Sequence, residues 1–366
     1  MPVTPTYPGV YVEELPSGVA SIAGVSTSIA AFIGSSVCGP LNQPVLISSR
    51  TEFQLAFGAV APGHELSHAA KQFFANGGTD AWIIRVSSTT PHWQTAITAL
   101  DSVETFNLLL LPGVTDAPAI TAAIAYCEKR RAFLLLDSPH DAITPQEILQ
   151  YLKSGPLPSS ENAAMYYPWV EVAGRWCAPG GTLAGLIACT DADRGVWKSP
   201  AGTTLTDVTR LKYNLTDAEN ALLNPVGINC LRSFPGKGIV AWGARTLAGA
   251  DSNNSEWKYI AIRRLALFVE RSIYTGTQWV VFEPNAEPLW ARIRLSVGSF
   301  LQSLFRSGAF QGATPKDAFY VKCDAATTTQ NDITRGIVNI EVGFAPLKPA
   351  EFVVIVIQQR GKTNVC

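Results

Sequence analysis

The sequence predicts a mixed α/β chain, a small parallel α/β domain followed by an α/β C-terminal core, with an extended arm at each end. Three observations carry this. Between residues 50 and 153, uninterrupted apolar runs alternate with amphipathic stretches, the pattern of parallel strands covered on both faces by helices. Two long helical periodicities follow, at 256–274 and 287–306. Short β-prone segments, Val10-Tyr11-Val12-Glu13-Glu14 and Phe352-Val353-Val354-Ile355-Val356-Ile357, lie near the ends of the chain and cannot fold alone.

Taken in order, residues 1–20 are punctuated by proline and glycine and read as a linker arm. Segments 27–33 and 45–47 read as strands, separated by Gly39-Pro40. A short helix at 52–57 ends at Gly58, and a longer one at 64–75 ends at Asn76-Gly77-Gly78. Strands at 82–86, 106–111 and 132–136 alternate with helices at 91–103, 116–129 and 144–153, two of which have proline near the start. Residues 154–180, rich in proline, serine and glycine, hold an extended stretch at 163–172 and read as a hinge. The expected domains are therefore 21–180 and 181–345, with 346–366 a second arm.

In the C-terminal core, a helix is expected at 182–190, and Thr216-Asp-Ala-Glu219 is a capping box. The 256–274 helix is apolar nearly all round, which implies burial. Along 287–306, Trp290, Ile293, Val297, Phe300, Leu301 and Leu304 form one face, while Arg292, Ser299, Ser303 and Arg306 lie on another. After a strand at 319–323, residues 336–359 read as a strand–turn–strand hairpin. Its first strand alternates, with Val338, Ile340, Val342 and Phe344 inward. Its second, 352–357, is apolar throughout, so it needs cover on both faces and a partner at its edge. Left bare, it is an aggregation hazard.

Composition narrows the partners. The 366 residues are 47% hydrophobic and only 16% charged, which suits apolar surface buried between subunits. A net charge of −1 argues against nucleic acid as the main partner. No run approaches the length of a membrane span, and the N-terminus lacks the pattern of a signal peptide, so synthesis in the cytoplasm without membrane insertion is expected. The seven cysteines form no CxxC pair and read as reduced thiols.

Catalytic signals are weak. His64-Glu65-Leu-Ser-His68 is a literal HExxH, which on a helix could hold zinc with Glu65 as general base. It follows Pro62-Gly63, so it occupies a first helical turn; no third ligand is apparent, and a solvated helix start is the better reading. Asp137 ends an apolar strand, but no phosphate loop accompanies it, so it reads as a helix cap or turn residue. The glycines at 180–181 read as a turn before a helix rather than an anion site. Asp191 and Asp193 have metal-like spacing, but Arg194 adjoins them. No catalytic, cofactor or metal residue is assigned. Residues 256–310 carry seven Lys/Arg against four Glu. They are either internally paired or a positive patch for an acidic partner.

Several long strings resemble one family. They include 192–202 (ADRGVWKSPAG), 223–232 (LNPVGINCLR), 234–246 (FPGKGIVAWGART), 257–264 (WKYIAIRR), 277–285 (TQWVVFEPN), 287–292 (EPLWAR), 329–332 (TQND) and 343–352 (GFAPLKPAEF). With 7–14 (YPGVYVEE) and 72–78 (QFFANGG), they span nearly the whole chain. The chain is similar in these to contractile tail sheath proteins of phages, R-type pyocins and extracellular contractile injection systems. The resemblance implies a structural, non-enzymatic subunit that stacks as hexameric rings around an inner tube and contracts to drive that tube through a target envelope. It implies as partners further copies of the chain, the inner tube protein, and baseplate and terminator proteins, within a phage tail or tail-like particle. It also implies exchange of the 10–14 and 352–357 strands between subunits, and contact of the 287–306 helix with the tube through Arg292, Arg294, Ser299 and Arg306. A zinc hydrolase using 64–68 and a minor, baseplate-proximal sheath paralogue are the alternatives.

Overall fold

A computed structural model describes residues 21–155 and 157–351; the expected strands at 10–14 and 352–357 lie outside the described residues. The first half runs β1 (Ala30–Gly34), β2 (Pro44–Ile47), α1 (Arg50–Phe57), α2 (Glu65–Ala75), β3 (Ala81–Arg85), α3 (Trp93–Ala99), β4 (Leu108–Leu110), α4 (Ala117–Arg130), β5 (Phe133–Asp137) and α5 (Pro145–Lys153). Local chemistry sets the helix starts. Ser49 accepts from the Glu52 N–H, Asp116 accepts from the Ala119 N–H, and Thr144 forms a capping box with Glu147. Each satisfies a donor that the first helical turn leaves orphaned.

The chain continues with β6 (Ala163–Tyr167), β7 (Val170–Val172), β8 (Arg175–Cys177), α6 (Gly180–Arg194), β9 (Arg210–Leu211), α7 (Asp217–Leu223), β10 (Ile228–Phe234), β11 (Gly238–Trp242), α8 (Ile260–Gly276), α9 (Glu287–Arg306), α10 (Pro315–Ala318), β12 (Phe319–Lys322), α11 (Gln330–Thr334) and β13 (Glu341–Phe344). Thr216 and Glu219 form the expected capping box at α7.

An eight-stranded sheet, in the order β11-β10-β6-β5-β4-β1-β3-β2, organises the molecule. Its six inner strands are parallel, and antiparallel strands close both edges. Every residue of β1, β4, β5 and β6 is buried, as strands covered on both faces must be. One face packs against α1, α2 and α6, the other against α3, α4, α5 and α7. The sheet does not stop at the boundary expected near residue 180. β6, from the expected hinge, lies between β5 and β10, so strands from both sides of residue 180 share one hydrogen-bonded ladder.

A third apolar cluster joins α8, α9, β12 and β13. All six expected face residues of α9 are buried. Helix α8 starts at Ile260 rather than 256, because the preceding residues are held extended against 244–246: the Thr246 N–H donates to the Lys258 carbonyl and the Ile260 N–H to the Ala244 carbonyl. Val338, Ile340, Val342 and Phe344 pack on this cluster as the alternation predicts. Among the described residues β13 pairs antiparallel with the upstream β12, Phe319 opposite Phe344 and Lys322 opposite Glu341.

Candidate assembly surfaces

The HExxH segment is taken up by the fold. His64 precedes α2, with Nδ1 3.2 Å from Ser35 Oγ. Glu65 pairs with Arg175 at 2.9 Å, and His68 Nδ1 lies 3.6 Å from Cys177 Sγ. Burial, then the Arg175 charge, holds the His68 pKa below its ordinary value. The motif's residues thus face separate partners, and among the described residues no group of three His, Cys, Asp or Glu side chains could hold a metal. The other acidic candidates are likewise engaged. Asp137 accepts from the N–H of Gly180, the first residue of α6, at 2.7 Å and from the Gly113 N–H at 3.1 Å. Burial pushes its pKa up to about 6 against the pull of those two donors. Asp191 takes both terminal nitrogens of Arg264, at 2.9 and 2.6 Å.

Three surfaces remain. The first is the outer stripe of α9, where Arg292, Leu295, Ser299, Ser303 and Arg306 are exposed. Arg292 lies over the Trp279 ring at 4.6 Å and 3.7 Å from Glu283. Arg294 turns aside, pairing with Glu287 at 2.5 Å and donating to the Cys323 carbonyl. Much of the basic excess of 256–310 is internally paired: Lys258 with Asp251, Arg263 with Glu161, and Arg264 with Asp191. Leu295 within the stripe is an exposed apolar side chain, as are Tyr274, Val281 and Phe282 in the α8 end and the segment that leads to α9. Phe282 is held at a φ of 72°, a conformation that bulky residues seldom adopt.

The second surface is the β12–β13 pair, a two-stranded sheet with no further strand among the described residues. One face rests on α9, and among the described residues each strand is paired along one edge only, the geometry that accepts an added strand.

The third surface was not anticipated from the sequence. Arg245, 1% exposed, donates from Nε and Nη2 to the two carboxylate oxygens of Glu351, both at 2.8 Å. Its Nη1 donates to Asp251 at 2.9 Å, and the Tyr259 hydroxyl donates to Glu351 at 3.2 Å. Burial raises the Glu351 pKa, but the hydrogen bonds and charge of Arg245, with Tyr259 and Lys258, outweigh it and hold it below the ordinary value. A clamp between residues 106 apart therefore fixes the chain just before 352–357. Charges isolated in apolar context, Arg245 after β11 and Glu351 ahead of an apolar run, were the available signal.

The comparisons agree with this architecture. The family model for the phage tail sheath protein central domain matches residues 87–247, and that for the phage tail sheath C-terminal domain matches 252–360. Over 98% of its length, the chain is similar to the contracted sheath of PVC, an extracellular contractile injection system, with 28% identity, 99% of that chain covered and a TM-score of 0.83. The contracted helical sheath of the anti-feeding prophage is 30% identical, with 98% of this chain and 100% of that chain covered and a TM-score of 0.80. A prophage protein of Pseudomonas aeruginosa (strain UCBPP-PA14), described as a major tail sheath protein, is 26% identical over 383 residues, 94% of each chain. The chain belongs to the tail sheath family. Within it, the chain is a structural subunit of a contractile tail sheath, and nothing found supports the hydrolase alternative. Among the described residues, no helix is long and apolar enough to cross a membrane.

Proposed function

We propose that the subunit stacks as hexameric rings around an inner tube and is tethered to its neighbours by exchanged strands. Segments 10–14 and 352–357 of adjacent subunits add to the β12–β13 sheet, so that subunits rotate and slide during contraction without parting. The observation that carries this reading is that sheet, two strands wide among the described residues. Helix α9 faces the tube through Arg292, Ser299 and Arg306, with Arg294 holding the helix to the Cys323 turn. Energy is stored in the extended lattice, and no catalytic step is required. Baseplate and terminator proteins cap the assembly. Deleting residues 1–15 or 352–366 is expected to leave folded subunits that form no tubes in negative-stain electron microscopy; tubes that persist would overturn strand exchange.

A second reading, a baseplate-proximal paralogue, draws support from likeness to a chain of the anti-feeding prophage baseplate, 30% identical with a TM-score of 0.78. Labelling the subunit in whole particles separates the two: signal along the full tail fits the main sheath, and signal at one end fits the paralogue.

A further inference from the structure

Beside the Arg245 clamp opens a groove of about 1070 Å³, lined among others by Trp197, Pro225, Phe234, Trp242 and Leu347. That volume lies at the top of the roughly 300–1,000 Å³ range of small-molecule clefts, and charged side chains such as Arg194, Asp217 and Arg232 also line the groove. Trp242 and Leu347 are 41% and 43% exposed, so the groove offers apolar side chains that nothing in the described residues covers.

The position of the chain indicates an occupant. Residues 347–351 themselves line the groove, and Glu351 is fixed there by Arg245. Phe352 therefore begins within one Cα step of about 3.8 Å from the wall, and fifteen residues follow Glu351, opening with the uncharged run FVVIVI. A segment tethered so closely meets its groove at an effective concentration in about the millimolar range. A second copy in dilute solution cannot match that.

We propose that in the unassembled subunit this groove binds the subunit's own Phe352 to Ile357 segment, and that assembly releases the segment for exchange with a neighbour. This rests on the strand-exchange reading and adds to it a stored state. The docked segment hides an aggregation-prone run and slows polymerisation until a growing tube offers a competing sheet edge.

The test uses the full chain with p-benzoylphenylalanine at Val354, irradiated in subunits kept unassembled by dilution. Mass spectrometry is expected to find adducts at monomer mass on the peptides bearing Trp197 and Trp242, giving way to adducts between subunits in tubes. Trp242→Ser is expected to reduce the groove adduct at least tenfold and to shorten the lag before tube growth. Leu347→Asp serves the same purpose should Trp242→Ser fail to fold. Adducts outside the groove, adducts only between subunits in the dilute sample, no adduct, or an unchanged lag in the variants would each overturn the stored state. If tubes are still lost on deleting 352–366, strand exchange survives that result; tubes that persist after the deletion remove both.

Discussion

Arg245 holds Glu351, the last of the described residues, and its burial makes its partners expensive to lose. Glu351→Gln keeps the shape but removes the charge, and is expected to cost about 1–3 kcal/mol in urea unfolding. Arg245→Met leaves Glu351 and Asp251 without their shared cation and is expected to cost more, about 3–5 kcal/mol. Because the folded-state pKa of Glu351 is depressed, the clamp's contribution is fully present above the ordinary carboxylate value of about 4.3. It is lost as pH falls below that toward the folded value. Stability measured between pH 7 and pH 3 is expected to fall less steeply in Glu351→Gln than in the parent chain. Equal slopes would show that the clamp contributes nothing through charge.

Helices α2 and α6 are drawn together by two glycines one turn apart. A Cβ at Gly181 would lie 2.3 Å from the Ala69 carbonyl oxygen, and one at Gly185 would lie 2.3 Å from that of Phe73. Neither backbone atom can yield as a flexible side chain would, so the helices must part to admit a methyl group. Gly185→Ala is expected to cost about 1–3 kcal/mol from overpacking, although alanine gains about 1 kcal/mol in helix propensity. Thermal unfolding measures the balance, and an unchanged or raised midpoint would contradict the close contact. The 64–68 segment lies at the start of α2, and its two histidines meet different partners, Ser35 and Cys177. The sequence locates α9 to the residue, because its apolar spacing is unbroken from Leu289 to Leu304. It misses the start of α8, because what holds residues 257–259 extended is the distant 244–246 segment.

In the assembly proposed above, the α9 stripe is the surface assigned to the inner tube. Reversing both exposed arginines, Arg292→Glu with Arg306→Glu, is expected to weaken co-sedimentation with inner tubes at least tenfold while leaving the melting temperature within a few degrees, as surface changes usually do. Full co-sedimentation would remove this face as the tube contact. At this scale the sequence also leaves the sheet underdetermined. The apolar runs at 108–110, 133–137 and 163–167 identify buried strands, but nothing in them specifies that β6 lies between β5 and β10. The composition of 154–180 suggested a hinge because prolines and glycines flank β6, whereas its own five residues are all buried.

The sequence by itself determined the alternation of strands and helices over 50–153, the cap at Thr216, the buried face of α9 and the family, since all of these rest on residues close together or on strings read in order. Only the tertiary structure decided that strands on both sides of residue 180 form one sheet, that β13 pairs with β12, and that Arg245 holds Glu351. Each of these joins groups far apart in the chain, and backbone pairing and a buried ion pair leave no periodic trace in the intervening residues. Their partners are chosen by which polar groups remain unsatisfied once the apolar faces have closed.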